Sequence, residues 1–207
     1  MNTLARVISF IFHPLLMATY LLGLLSCFFP SALYPINTQS ALYFLLLIFL
    51  LTSVLPALNI LFFKILGTIS SFAMEERKER IRPFFLITIL YCFVTYIFSF
   101  KNRASTDDNL FKLLLIIDCL VIAATMITFF YKISIHSIGV TGILGIIVPL
   151  NKVAENNSLF TPTIVWIVIA GLVMSARLQL NSHTPREVWV GALAGFFIGF
   201  FGMIILF

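Results

Sequence analysis

Charge is scarce in this sequence. Asp, Glu, Lys and Arg together make up 10% of the 207 residues, whereas hydrophobic residues make up 61%. Soluble domains are typically about 25% charged and about 45–50% apolar. The composition therefore excludes a soluble globular domain and indicates a chain that resides in lipid.

Cysteine is also rare, and the sequence has no stretch that resembles a linker between domains. Cys27, Cys92 and Cys119 all fall within apolar runs and lack metal-ligand spacing, which excludes a disulfide framework. No Pro/Gly/Ser-rich or low-complexity stretch divides the sequence, so residues 1–207 are expected to form a single transmembrane helical domain. The net charge of +5 comes from basic residues in short turns. This distribution favours contacts with a membrane surface or phosphate over nucleic acid.

Long hydrophobic runs dominate instead. A helix that spans a hydrocarbon core of about 30 Å needs roughly 20 mostly apolar residues. Seven runs approach or exceed this length: Leu4–Phe29, Ala41–Leu66, Phe84–Phe100, Leu110–Phe130, Ile133–Leu150, Thr161–Leu180 and Val188–Phe207. The first is too long for the core of a signal peptide and is expected to remain as a membrane anchor. The predicted fold is an all-α integral membrane bundle of about seven transmembrane helices.

Polar residues are concentrated in three clusters, at 75–83, 132–139 and 176–187. Two spans separate each cluster from the next, so all three should emerge on one membrane face. The groups that could meet there are Arg77, Lys78, Arg80, Arg82, Lys132, His136, Arg177, His183 and Glu187. Guanidinium groups bind phosphate oxygens bidentately, and two imidazoles can supply a nucleophile or base and an acid. The clusters therefore predict phosphoryl transfer at one membrane face.

The third cluster also begins a helix. Pro185 suits the first helical position after Thr184 as the N-cap, so free amides and the positive dipole end would lie beside His183. In this cluster the sequence resembles the phosphatidic acid phosphatase type 2 family of membrane phosphatases and its haloperoxidase relatives. That family's third motif is Ser-Arg, five residues, His, three residues and Asp. Arg177, His183 and Glu187 hold this spacing, with Ala176 in place of the Ser and Glu in place of the Asp.

The other two motifs of the family are matched in part. The second, Pro-Ser-Gly-His, is matched by Ser134 and His136, with isoleucines in place of the Pro and the Gly. The first is Lys, six residues and then Arg-Pro, and Arg82-Pro83 matches its end. Glu75 stands at the position of the Lys. Arg77, Lys78 or Arg80 is therefore the expected substitute for that lysine.

The resemblance implies a mechanism without metal or cofactor. His183 would attack phosphorus to form a phosphohistidine, with Glu187 holding its tautomer, and His136 would protonate the leaving lipid alcohol. Arg82 and Arg177 would neutralise the phosphoryl oxygens. The assisting groups implied are Ser134, Lys132 and a base of the first cluster, Arg77, Lys78 or Arg80. The substrate would be a membrane lipid phosphate, either a phosphomonoester or a pyrophosphate.

Some of these residues also have purely structural explanations. Thr184 and Glu187 have the spacing of a capping box, in which Glu187 bonds the Thr184 amide. Ser134 could simply cap the fifth helix, and Lys132 could extend its amine to the interface. The residues from Glu75 to Arg82 could form a solvated turn.

Two polar residues lie inside apolar runs and should face the bundle interior. His13-Pro14 is typical of a helix entry or a local kink, and Asp118 is typical of an interhelical hydrogen bond or a pairing with Lys64. Neither is assigned a catalytic role.

Two other functions use the same residues. A binding or transport protein would hold the lipid phosphate without cleaving it, and a phosphotransferase would pass the group to an alcohol. The expected location is a bacterial cell (inner) membrane. Because several basic residues on the cluster-bearing face are themselves proposed phosphate ligands, the charge distribution does not orient the chain.

Overall fold

The computed structural model describes residues 2–72, 74, 76–102, 108–154 and 157–207, with residues 101 and 102 described by their backbone alone. Within these ranges the fold is all-helical, and seven helices are long and apolar enough to cross a membrane. They are α1 (Asn2–Phe28), α2 (Ala41–Ile65), α3 (Arg77–Asn102), α4 (Asn109–Phe130), α5 (Ile135–Val153), α6 (Phe160–Gln179) and α7 (Pro185–Leu206). The prediction of seven long apolar helices is confirmed. Glu75, which stands at the position of the family's lysine, lies outside the described residues.

Large apolar side chains cover the outside of the bundle. Phe10, Phe100 and Phe130 are 79%, 77% and 83% exposed. Contiguous apolar surface of this kind is avoided by soluble monomers. The outer surface is therefore suited to hydrocarbon.

The first helix is interrupted at His13-Pro14. Its first segment, Asn2–Ile11, ends before a 3₁₀ turn at Pro14–Leu16. Pro14 has no N–H with which to continue the helix, and His13 caps the turn because its Nδ1 accepts from the Leu15 amide at 3.3 Å. The structure thus interrupts the helix at the predicted position, and a new helical turn begins at Pro14. The interruption also leaves the last carbonyls of the first segment without helical partners.

The third helix begins at Arg77, seven residues before the predicted apolar span Phe84–Phe100. The apolar run marks only the part of a helix that suits hydrocarbon, and the charged residues before it continue the same helix. Arg80, Phe84 and Ile87 follow one stripe of α3 at i, i+4 and i+7 and line a common cavity. Arg82 lies two residues beyond Arg80, about 200° around the helix, and is exposed. The helical register therefore directs Arg80 inward.

Glycines allow α5 and α7 to pack at very short range. A Cβ on Gly145 would lie 2.2 Å from the Phe196 carbonyl oxygen, and one on Gly195 would lie 2.3 Å from that of Ile138. Small residues are what permit backbones of membrane helices to approach this closely. Both helices begin at the same end of the bundle, where the Ser134 amide donates to the Glu187 carbonyl at 3.3 Å. This packing brings the starts of the two histidine-bearing segments together.

Candidate active site

A cavity of about 500 Å³ lies where α5 and α7 begin and α6 ends. The charged and imidazole groups that line it are His13, Arg80, His136, Arg177 and His183. Apolar side chains of α1, α3 and α4 line much of the rest. Each of the three predicted polar clusters contributes at least one side chain to this cavity.

His183 lies in the turn before α7 and is 7% exposed. Its Nδ1–H donates to Glu187 Oε2 at 2.8 Å, so the neutral ring carries its lone pair on Nε2. The same carboxylate oxygen accepts from the Thr184 amide at 3.3 Å, and Thr184 Oγ1 accepts from the Glu187 amide at 3.3 Å. Glu187 therefore completes a capping box and orients His183 at the same time. The fixed helix start holds the carboxylate in place for the imidazole.

The pKa of His183 is lowered to about 4, and burial is the largest cause. The positive charges of Arg80 and Arg177 contribute to this lowering, whereas the hydrogen bond to Glu187 opposes it. The imidazole is consequently neutral at pH 7. This is the protonation state that a nitrogen nucleophile requires.

His136 occupies the first turn of α5, and its Nε2 lies 3.1 Å from the backbone carbonyl of Ser9. Because a carbonyl only accepts, Nε2 carries a hydrogen. Ser9 lies among the last four residues of Asn2–Ile11, the helical segment whose terminal carbonyls lose their helical donors. The interruption of α1 thus fixes the tautomer of His136 and leaves Nδ1 to exchange a proton.

Two guanidinium groups border the cavity. Arg80, 6% exposed, donates through Nε to the Met74 carbonyl at 2.6 Å and through Nη1 to the Ile133 carbonyl at 3.2 Å. Arg177 lies within electrostatic range of Arg80, and its Nε is buried without a hydrogen-bond partner among the described residues. Like charges repel and an unsatisfied buried donor is costly. An anion bound between the two arginines would relieve both costs.

Three predicted phosphate ligands of the first cluster lie away from this cavity. Lys78 and Arg82 are exposed. Arg77 donates to the carbonyls of Phe129 and Thr128, the latter at 3.4 Å, and so fastens α3 to the end of α4. Within the described residues, the structure therefore brings Arg80 of this cluster to the cavity, in the place expected of Arg82.

Ser134 and Lys132, two further predicted phosphate ligands, do not line this cavity either. Ser134 is fully buried, and its Oγ accepts from the Ser137 amide at 3.3 Å and from the Ser137 hydroxyl at 2.9 Å. It therefore caps α5. Lys132 borders a second cavity of about 420 Å³, which has His183 and Glu187 in its wall.

Sequence reasoning missed two cavity residues, Ser9 and His13. The available signal was the cost of an imidazole within an apolar run, which predicts an inward position but not its neighbours. Asp118, the other such residue, is buried and bonds the Thr95 side chain. Lys64 donates to the Ser70 carbonyl. Asp118 thus makes the interhelical hydrogen bond that was one of its two expected structural roles.

A narrow apolar groove of about 80 Å³ continues from the polar cavity between α1, α4 and α5. The two spaces share Pro14, Val121 and Ala124. From Ile135 to Ile146, α5 follows the cavity and groove for about 16 Å at about 1.5 Å per residue. This is about half of a hydrocarbon core, so the combined space suits an amphiphile with an anionic head.

The cavity combines a neutral, carboxylate-oriented imidazole with a second imidazole and two guanidinium groups. Such a set can supply the nucleophile, the proton donor and the charge stabilisation for displacement at phosphorus. Among the described residues, no group of three or more His, Cys, Asp or Glu side chains is placed to hold a metal ion. Comparison with protein-family models, curated proteins and solved structures finds no match.

Proposed function

We propose that this chain is an integral membrane lipid phosphate phosphatase similar to the phosphatidic acid phosphatase type 2 family. It hydrolyses a phosphomonoester or pyrophosphate lipid through a phosphohistidine, with no metal. The observation that carries the proposal is the 2.8 Å hydrogen bond from His183 to Glu187, in the wall of a cavity that Arg80, Arg177 and His136 also line.

In the proposed reaction, Nε2 of His183 attacks phosphorus while Glu187 stabilises the positive charge that develops on the ring. The bond from phosphorus to the leaving oxygen breaks, and His136 in its protonated form donates the Nδ1 proton to that oxygen. Arg80 and Arg177 stabilise the charge on the phosphoryl oxygens, which is the main contribution of proteins to phosphoryl transfer. Water then attacks the phosphohistidine and gives its proton to Nδ1 of His136, the bond from phosphorus to Nε2 breaks, and phosphate leaves with His183 restored. The second cavity beside His183 offers a path for this water.

Two features support a lipid as the substrate. The apolar groove continues from the charged cavity toward the middle of the bundle, where it would hold a hydrocarbon chain. The apolar outer surface of the seven helices supports residence in a bilayer, with the cavity near one membrane face. The proposed location is a bacterial cell membrane.

The proposal is tested by incubating the purified protein with a panel of lipid phosphates and analysing the products. Phosphatidate, phosphatidylglycerophosphate, polyprenyl mono- and diphosphates and a phosphorylated saccharolipid are the substrates to compare. Release of inorganic phosphate is expected for at least one of them, and it should persist in excess EDTA. A new phospholipid would indicate a phosphotransferase, and unchanged lipid that remains bound would indicate a binding or transport protein. Activity that EDTA abolishes and magnesium restores would contradict the histidine mechanism.

A further inference from the structure

The first helix supplies a group of polar side chains that the phosphatase mechanism does not use. Ser9 and His13 line the same cavity as His136 and His183. Ser9 is 7% exposed, and its Oγ has no hydrogen-bond partner among the described residues. A buried hydroxyl left without a hydrogen bond destabilises the folded chain. A ligand that bonds this hydroxyl would remove that destabilisation.

His13 retains a donor for the same ligand. Its Nδ1 accepts from the Leu15 amide, so the neutral ring carries its hydrogen on Nε2. The His13 and His136 rings meet edge to face with centroids 5.6 Å apart. His136 is also within electrostatic range of His183. His136 therefore borders both the His183 group and the Ser9–His13 pair.

The charge and the hydrogen-bond donors of the cavity indicate what would occupy both places. Among the described residues that line it are two guanidinium groups, which carry its positive charge, and three imidazoles but no carboxylate. Its volume of about 500 Å³ lies within the range of about 300–1,000 Å³ that is typical of ligand pockets. A head group with two phosphoryl groups matches this charge and uses both sets of donors.

We infer that Ser9 and His13 form a second phosphoryl-binding subsite, and that the preferred substrate class is a lipid diphosphate. This inference rests on the proposed function. His183 would attack the terminal phosphorus, the bond to the bridging oxygen would break, and lipid monophosphate would leave. Ser9 and His13 would hold that leaving phosphate, and His136 would donate its proton to the bridging oxygen. Water would then release the terminal phosphoryl group from His183 as inorganic phosphate.

The test compares geranylgeranyl diphosphate with geranylgeranyl monophosphate, which differ only in the second phosphoryl group. The measured quantity is the ratio of kcat/KM for the two substrates. In the wild type the ratio should favour the diphosphate. Ser9→Ala should lower the ratio about 10- to 100-fold, the range expected for one hydrogen bond to a charged group. His13→Asn should do the same while retaining a side-chain oxygen that can cap the turn.

Ser26 lies in α1 and does not line the cavity. Ser26→Ala is therefore the matched control and should keep the wild-type ratio. If Ser9 binds no ligand, removal of its unpaired hydroxyl should leave the ratio unchanged and leave thermal stability unchanged or improved. An unchanged ratio in Ser9→Ala and His13→Asn, or a wild type that favours the monophosphate, overturns the inference and leaves the phosphatase proposal standing.

Binding separates failure of the subsite from failure of catalysis. If the wild type cleaves neither geranylgeranyl substrate, inorganic pyrophosphate and phosphate become the probes of the subsite. The proposed function fails only if no lipid phosphate of the panel is cleaved either. Pyrophosphate should then raise the thermal midpoint more than phosphate at equal concentration, and this difference should disappear in Ser9→Ala. Equal effects of the two anions on the wild type would overturn the subsite as well.

Discussion

Substitution of one glycine should misalign the two histidine-bearing segments. In Gly145→Ala the new Cβ would lie 2.2 Å from the Phe196 carbonyl oxygen, 2.8 Å from the Phe200 amide nitrogen and 3.1 Å from the Gly199 Cα. Ordinary contacts of a Cβ begin at 3.4 Å. All three neighbours are backbone atoms, so no side-chain rotation can relieve the overlap. Helix α7 must instead move away from α5 by roughly 1 Å or the helices must bend.

The expected cost follows from two opposing effects. Overpacking of a tight core typically costs about 1–3 kcal/mol, and replacing Gly by Ala inside a helix returns up to about 1 kcal/mol. A net loss of about 1–2 kcal/mol corresponds to a fall of roughly 2–8 °C in Tm for a chain of this size. Because α7 starts at the His183–Glu187 pair, phosphate release should fall as well, by up to about 100-fold for a 1 Å displacement.

Gly171→Ala is the matched control. Gly171 lies inside α6, and nothing would lie within 4 Å of its new Cβ. This variant should keep its activity and gain up to about 1 kcal/mol, which is seen as an unchanged or raised Tm in detergent. The measurement is thermal unfolding of both variants beside the wild type. If Gly145→Ala matches Gly171→Ala in Tm and activity, the close packing of α5 and α7 does not position the site.

Three further predictions concern the polar groups. Arg80→Ala should lower kcat/KM for the lipid phosphate about 10²–10³-fold, the usual loss for a group that stabilises transition-state charge, whereas the exposed Arg82→Ala should have little effect; equal losses would contradict the assignment of Arg80. Glu187→Gln should lower kcat because an amide cannot stabilise positive charge on His183, and an unchanged kcat would show that Glu187 serves only as a cap. The pKa of free His183 is lowered to about 4, chiefly by burial, so protonation of this nucleophile should reduce kcat/KM only as the pH falls through about 4. A pH profile in which an acid limb near 6.5 belongs to His183 would contradict its burial.

The helices were predictable because they depend on local composition. The length and apolar composition of a run indicate by themselves whether it can span a membrane, and distant parts of the chain do not change this. The same local signal began the third span at Phe84, since it could not detect that Arg77 and the charged residues after it belong to the same helix. For this reason the sequence predicted Arg82 as a phosphate ligand, whereas the structure has Arg80 in the wall of the cavity. Only the helical register shows which of two arginines points inward.

The capping and orienting roles of Glu187 were predictable for the same reason, since His183, Thr184 and Glu187 are neighbours in sequence. The contact between Ser9 and His136 was not, because it joins residues 127 positions apart. It depends on the interruption at His13-Pro14 and on the packing of α1 beside α6. The sequence indicates an interruption at His13-Pro14, but only the folded structure shows that the Ser9 carbonyl accepts a hydrogen bond from His136.

The central claim is that His183 becomes phosphorylated during turnover. Its direct test is rapid-quench labelling with a lipid substrate that carries radioactive phosphorus in the transferred group. The wild type should show an acid-labile phosphoenzyme that forms and decays at the rate of turnover. In His183→Ala the label and turnover should both disappear while lipid-phosphate binding remains, because Arg80 and Arg177 still hold the head group. Covalent label on His183→Ala protein, or unchanged turnover in that variant, would contradict the account.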